Sequence, residues 1–206
     1  MLKQERKEIA YFMRRLYRMG LTTTSGGNIS IRCDNHVLLT PSALDKARIK
    51  ANQVAIFTLD GENLTPDLKP TMEKEMHFAI YRKDRGVKAI VHAHPVTASA
   101  FACTHRTIST KMMVESYAIL GIPVRAKYAT MGSKALADHV AEAAIGNKVV
   151  IMENHGVLAT GETLLQAFDR IEVLENAART TLITEVLLKD QTTLSESELK
   201  ILDQND

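Results

Sequence analysis

Apolar residues recur at helical spacing near the start of the chain. Ile9, Phe12, Met13, Leu16 and Met19 share one face of residues 4–19, and Gly20 is a natural stop. The period then shortens. "GNISIR" and "HVLLTPS" read as short strands around a turn at Asp34-Asn35, and "VAIFTLDGE" as a third strand closed by Asp60-Gly61. After Pro70, "TMEKEMHFAIYRKD" is predicted to be a helix capped by Thr71. It places Met72, Met76 and Ile80 on one face and Glu73 in its first turn. "KAIVHAHP" is a strand, and Pro95 opens the next segment, "VTASAFACT". "SKALADHVAEAAIGN" is a helix with Ser133 as N-cap and Gly146 near its end. "KVVIMENHGVLATG" reads as a buried strand that breaks into a loop at Asn154-His155-Gly156. From Thr163 to about Leu188, Leu164, Phe168, Ile171, Leu174 and Ala178 return to helical spacing. A last helix starts at "LSESEL", where Ser195 and Glu198 form a capping box and Leu194 and Leu199 a staple.

Helices and short strands are mixed without a regular βαβα rhythm, and neither GxxxxGK[ST] nor GxGxxG occurs. The expected fold is therefore α/β of the α+β kind: a central, mainly antiparallel β-sheet covered by helices, rather than a nucleotide-binding parallel sheet. A length of 206 residues, 45% of them apolar and 24% charged, suits one packed domain over 1–206. The net charge of +2 comes without a basic stripe, which argues against a nucleic-acid partner. No apolar run approaches the roughly twenty residues that span a bilayer. "MLKQERKEIA" lacks the apolar core of a signal peptide, so a soluble, cytoplasmic protein with no membrane partner is expected. Cys33 and Cys103 lie far apart with no CxxC pairing. They are either a disulfide or, as suits the cytosol, two free thiols.

The candidate chemistry lies in the histidines. His92 and His94 stand at i and i+2, so they point to the same face of a strand. Such a pair is either a polar surface feature or two ligands of one metal ion. His155, in "ENHGVL", sits where a buried run meets a glycine-containing loop, and Glu73 opens the helix that leads into the His-His strand. Three imidazoles and an open position suit a catalytic zinc, whereas structural zinc takes four ligands rich in cysteine. A carboxylate beside that position would be a base close to a polarised substrate. On the residues alone both readings stay open. His36 in a turn, His105 in a loop and His139 on the polar side of a helix look bland. His77, one helical turn after Glu73, is either a neighbour of the site or a solvated or hydrogen-bonded helix residue.

These residues resemble the class II aldolase/adducin family, and within it the zinc-dependent L-fuculose-1-phosphate aldolase type. The pieces occur in family order: "TSGGNIS" at 24–30, "LLTPSA" at 38–43, "KPTMEKEMHFAIY" at 69–81, "IVHAHP" at 90–95, "IPVRAKYATMGSKALADHV" at 122–140 and "NHGVLATG" at 154–161. The resemblance implies an antiparallel sheet flanked by helices, assembled as a cyclic homotetramer with active sites between neighbouring subunits. It implies that His92, His94 and His155 bind one Zn2+ per subunit, although imidazoles accept other divalent transition metals too. Glu73 would be the catalytic acid/base. The implied reaction cleaves a ketose 1-phosphate to dihydroxyacetone phosphate and a small aldehyde through a metal-stabilised enediolate.

By the same resemblance, Gly27, Asn28, Thr40, Ser42 and Thr71 are the substrate-phosphate contacts. "SGGN" can form a nest of backbone N–H groups, and Thr71 lies at a helix N-terminus. The chain also departs from the pattern. Met72 replaces a second hydroxyl before the glutamate, and no tyrosine follows Tyr128. Where fuculose-type enzymes carry a tyrosine near the aldehyde, the gapless count lands on Met113, with Tyr117 close enough to substitute. Met72, Met112 and Met113 are either ordinary packing residues or the lining of a pocket that would suit an apolar or deoxy aldehyde. Sugar-phosphate 4-epimerases, dehydratases and decarboxylases share the scaffold, though the epimerase branch carries aspartate where Glu73 stands. A non-catalytic, adducin-like assembly module would lack the metal histidines, and all three are present.

Overall fold

The first helix, α1 (Lys3–Arg18), turns Ile9, Phe12, Met13 and Leu16 inward and ends at Gly20, whose φ of 69° only glycine adopts freely. Met19, expected on the same face, is 44% exposed because the helix has already stopped there. This computed structural model describes residues 2–204. Met1, Asn205 and Asp206, the ends of the expected 1–206 unit, lie outside the described residues.

The remaining elements are β1 (Asn28–Cys33), β2 (His36–Leu39), β3 (Ala55–Thr58), α2 (Lys74–Lys83), β4 (Ala89–Ala93), α3 (Val96–Ala102), α4 (Val114–Leu120), β5 (Val124–Ala126), α5 (Lys134–Ala144), β6 (Val149–Met152), β7 (Gly156–Gly161), α6 (Leu164–Leu182) and α7 (Glu196–Asp203). The strands form one sheet in the order β3-β2-β1-β4-β7-β6-β5, antiparallel at every pairing except β5 with β6. Period-two alternation then sorts the side chains. Ile29, Val91 and Ala159 face a core shared with α1, α3 and α6, while Val37, Ile90 and Leu158 face one shared with α2 and α5. Covered on both faces, β4 and β7 are buried along their whole length, which is why they read as continuous apolar runs.

Several expectations change at element boundaries. "KVVIMENHGVLATG" is two strands, β6 and β7, joined through Asn154 in the left-handed region (φ 52°). The loop expected at Asn154-His155-Gly156 falls at this turn, but β7 beyond it, buried on both faces, carries no period to mark it as a second strand. Helix α2 begins at Lys74, so Glu73 is its N-cap rather than part of its first turn, although the Thr71 hydroxyl does accept from the Glu73 N–H at 3.3 Å. Met72 precedes the helix and is 60% exposed, leaving Met76 and Ile80 as the buried stripe. α4 and β5 are too short to show a period. The long helix changes to π-helical winding over Ile183–Leu188. His36 opens β2 instead of lying in the turn, the Ser195–Glu198 capping box is formed, and Cys33 and Cys103 are free thiols. Among the described residues, no helix is long and apolar enough to cross a membrane.

Candidate metal centre and active-site cavity

Three histidines converge at the end of the central strands. His92 lies on β4, His94 one residue beyond its end, and His155 in the turn between β6 and β7. The ring centroids of His92 lie 4.6 Å from His94 and 5.0 Å from His155, and one ligand atom from each histidine falls within 4.8 Å of the others. Backbone hydrogen bonds set the ring roles. His92 Nδ1–H donates to the Val157 carbonyl at 2.9 Å, which leaves the Nε2 lone pair facing the cluster. The His94 N–H donates to the Leu21 carbonyl at 3.0 Å. Glycine makes room for the rings: a Cβ on Gly156 would stand 2.4 Å from His94 Cδ2, and one on Gly26 2.8 Å from His94 Nδ1.

Glu73 faces the same point. Its Oε1 is 3.0 Å from His155 Nε2, its Oε2 is 3.4 Å from His92 Nε2, and Asn28 Nδ2 donates to Oε2 at 2.8 Å. Burial opposes charge on this carboxyl, but the flanking imidazoles and the Asn28 amide outweigh burial and hold it well below the usual carboxylate range. Burial, reinforced by neighbouring histidines, pushes His92 down and His94 down to about 3, so both are neutral, the ligating form. His92 Nε2 and Glu73 Oε1 are buried without a hydrogen-bond partner. An orphaned acceptor such as His92 Nε2 is costly unless a cation meets it, and three converging imidazole nitrogens suit a divalent transition metal. The residues fit a bound metal.

A cavity of about 430 Å³ opens from this point, with Gly27, Asn28, Ser42, Thr71 and Glu73 on its walls beside His94 and His155. Thr40 is not on it: fully buried, its hydroxyl accepts from the Ile29 N–H at 3.1 Å. Gly27 has φ 65°, and a Cβ there would meet the His92 carbonyl at 2.8 Å, so the loop passes this strand only as glycine. Of the methionines, Met72 lines the cavity, joined by Met131, whereas Met112 and Met113 line a separate cavity with Thr180 and Thr184. Tyr117 turns away and donates to Asp203 Oδ2 at 3.4 Å. Within one chain, Met113 and Tyr117 are therefore not brought to the metal cluster.

One residue on this wall, Lys46, escaped the sequence pattern, and one beneath it, His77, was left open between two readings. Lys46 is 2% exposed, donates from Nζ to the Pro41 carbonyl at 2.8 Å, and burial lowers its pKa to about 8. In a polar stretch such as "SALDKAR" nothing signals a buried lysine. His77 is fully buried on α2, hydrogen-bonded beneath Asn28 instead of solvated. Its spacing of one helical turn from Glu73 was the available signal.

Residues 7–182 match the family described as Class II Aldolase and Adducin N-terminal domain. The chain is 36% identical over 184 residues to a 5-deoxy-D-ribulose 1-phosphate aldolase of Bacillus thuringiensis serovar kurstaki, spanning 87% of this chain and 84% of that one. It is 32% identical over 172 residues to a 3-oxo-tetronate 4-phosphate decarboxylase of Haemophilus influenzae, spanning 81% of each. Among solved structures, an L-fuculose 1-phosphate aldolase superposes with a TM-score of 0.88 at 28% identity, over 97% of this chain and 94% of that one.

Proposed function

Because the chain belongs to the class II aldolase and adducin family, we propose that it is a zinc-dependent aldolase that cleaves a ketose 1-phosphate to dihydroxyacetone phosphate and a small aldehyde. The observation that carries this reading is the position of Glu73, whose oxygens lie 3.0 and 3.4 Å from His155 and His92 on the wall of the cavity. His92, His94 and His155 hold the ion, which when bound supplies Lewis acidity to the substrate carbonyl. Other divalent transition metals suit the same imidazoles. In the synthetic direction, Glu73 removes a proton from the carbinol carbon of dihydroxyacetone phosphate, and in cleavage it returns it.

The phosphate is received by Gly27, Asn28, Ser42 and Thr71, with the Lys46 ammonium balancing its charge. Thr40 supports this wall from behind by holding the Ile29 N–H. Met72 and Met131 leave the wall short of polar groups, which favours an aldehyde lacking a terminal hydroxyl, in line with the 5-deoxy sugar named for the Bacillus relative. Met113 and Tyr117 reach a site only across a subunit boundary, as in a homotetramer with active sites between neighbours. Exposed apolar side chains at Val96 (75%), Leu187 (72%) and Leu188 (67%) support such an assembly. The reading places the enzyme in the cytoplasm.

The test uses the half-reaction. The zinc-loaded protein, incubated with dihydroxyacetone phosphate in deuterium oxide, is expected to exchange hydrogen at the carbinol carbon, followed by NMR. A chelator or Glu73→Gln should abolish that exchange. Persistence in Glu73→Gln would remove Glu73 from its role. No exchange by metal-loaded protein would sink the aldolase reading and favour decarboxylation of a phosphorylated sugar acid, the activity named for the Haemophilus relative.

A further inference from the structure

Behind Glu73 runs a line of buried polar side chains for which the metal and base chemistry has no use. Asn28 and Ser30 stand at i and i+2 on β1 and share a face, and His77 and Tyr81 stand at i and i+4 on α2 and share another. The two faces interlock. Tyr81 OH lies 2.7 Å from Ser30 Oγ, Ser30 Oγ 2.7 Å from His77 Nδ1, and His77 Nε2 2.5 Å from Asn28 Oδ1. Asn28 Nδ2 then donates to Glu73 Oε2 at 2.8 Å. None of the four is more than 3% exposed.

The direction of each bond follows from the charge at one end. Glu73, read as the base, accepts: Asn28 Nδ2 lies 2.8 Å from its Oε2, so the amide turns its N–H toward the carboxyl and its oxygen toward His77. That oxygen also accepts only, so His77 Nε2 carries a proton. Burial pushes the His77 pKa down to about 3, so the ring is neutral and Nδ1 is left as an acceptor. Ser30 O–H therefore donates to Nδ1, and Tyr81 O–H donates to Ser30. Each group has one role, and reversing any bond leaves two acceptors or two donors face to face in a dry interior.

We propose that His77 is a positioning residue for the reaction: its Nε2–H locks the Asn28 amide with an N–H toward Glu73, so the chain Tyr81–Ser30–His77–Asn28 orients the base. The proposal rests on the reading of Glu73 as the group that moves the proton. With Oε2 engaged by the amide, Oε1, which has no donor, is the oxygen that takes up the proton.

Two measurements test it. In 15N-labelled metal-loaded protein, His77 should show the Nε2–H tautomer, unchanged from about pH 5 to about pH 8. The Nδ1–H tautomer or an imidazolium in that range would overturn the proposal. In the deuterium-exchange assay, His77→Phe should lower the maximal rate roughly ten- to a hundredfold, with KM and bound metal unchanged. His77→Gln, whose amide can donate to Asn28 and accept from Ser30, should restore most of it. Wild-type exchange in His77→Phe, or equal losses in both variants, would overturn the positioning role. If His77→Phe fails to fold, the tautomer and the His77→Gln rate decide. Absence of exchange in the wild type would count against the aldolase reading, while the tautomer still decides the bond directions on which positioning depends.

Discussion

Lys46 spends one of its ammonium protons on the Pro41 carbonyl and, among the described residues, has no carboxylate partner. Holding a charge in such a place works against the folded chain unless an anion arrives. The sign follows from its pKa of about 8, below the ordinary 10.5. At neutral pH the buried group is charged and the penalty is in force, and it is relieved as pH rises from about 8 toward 10.5. Lys46→Met keeps the volume and removes the charge. It should raise stability in urea unfolding at neutral pH by on the order of 1–3 kcal/mol when phosphate is absent. The same variant should bind inorganic phosphate about tenfold more weakly in calorimetry. A destabilised variant with unchanged phosphate affinity would contradict both statements. At this scale the sequence revealed residue types but not their surroundings. The HxH spacing and Glu73 stood out because ligand chemistry needs those types, whereas a lysine in a polar loop and a histidine on a helix look the same buried or solvated.

At the scale of elements, the site depends on how closely the turn between β6 and β7 can approach the end of β4. Gly156 permits that approach, because a Cβ there would stand 2.4 Å from His94 Cδ2 and 2.7 Å from the Ala93 carbonyl. Gly156→Ala should displace His94 and weaken metal binding roughly ten- to a hundredfold in a chelator competition, with far-UV circular dichroism preserved. Gly146→Ala is the control. Its φ of 66° brings local strain, but a Cβ there meets nothing within 4 Å, so metal affinity should not change. The helices α1, α5 and α6 and the strands β1–β4 could be read from periodicity, since each buries one face or ends on a marked turn. The loop at Asn154-His155-Gly156 could be read as well, but the second strand after it could not, because β7, buried on both faces, alternates with nothing. The start of α2 moved to Lys74 because a threonine that accepts from the N–H two residues on can precede a turn as well as a helix.

For the whole molecule, the three histidines bring the end of β4 and the turn after β6 to one point, in a sheet whose two faces are covered by different helices. A metal held there binds the folded chain and not the unfolded one, so it should add about 2.7 kcal/mol at a hundredfold excess over its dissociation constant. Chelation should therefore lower the melting temperature of the wild type, while His155→Ala should melt at the same temperature with or without chelator. A chelator-insensitive wild type would mean that the cluster holds no ion in solution.

By itself the sequence determined what depends on near neighbours along the chain: helical and strand periods, caps, turns at Asp34-Asn35 and Asp60-Gly61, and the ordered segments that carry the family resemblance. Those features arise from side-chain spacing over a few residues, and spacing is what a sequence records. The tertiary structure alone decided which faces meet. The strand order β3-β2-β1-β4-β7-β6-β5 set Asn28 against His92, slid His77 under Asn28, sealed Lys46 into the cavity wall and left Met113 and Tyr117 away from it. Alternation tells which way a side chain points, but what stands opposite is supplied by another part of the chain, and only packing of the whole sheet and its helices brings the two together.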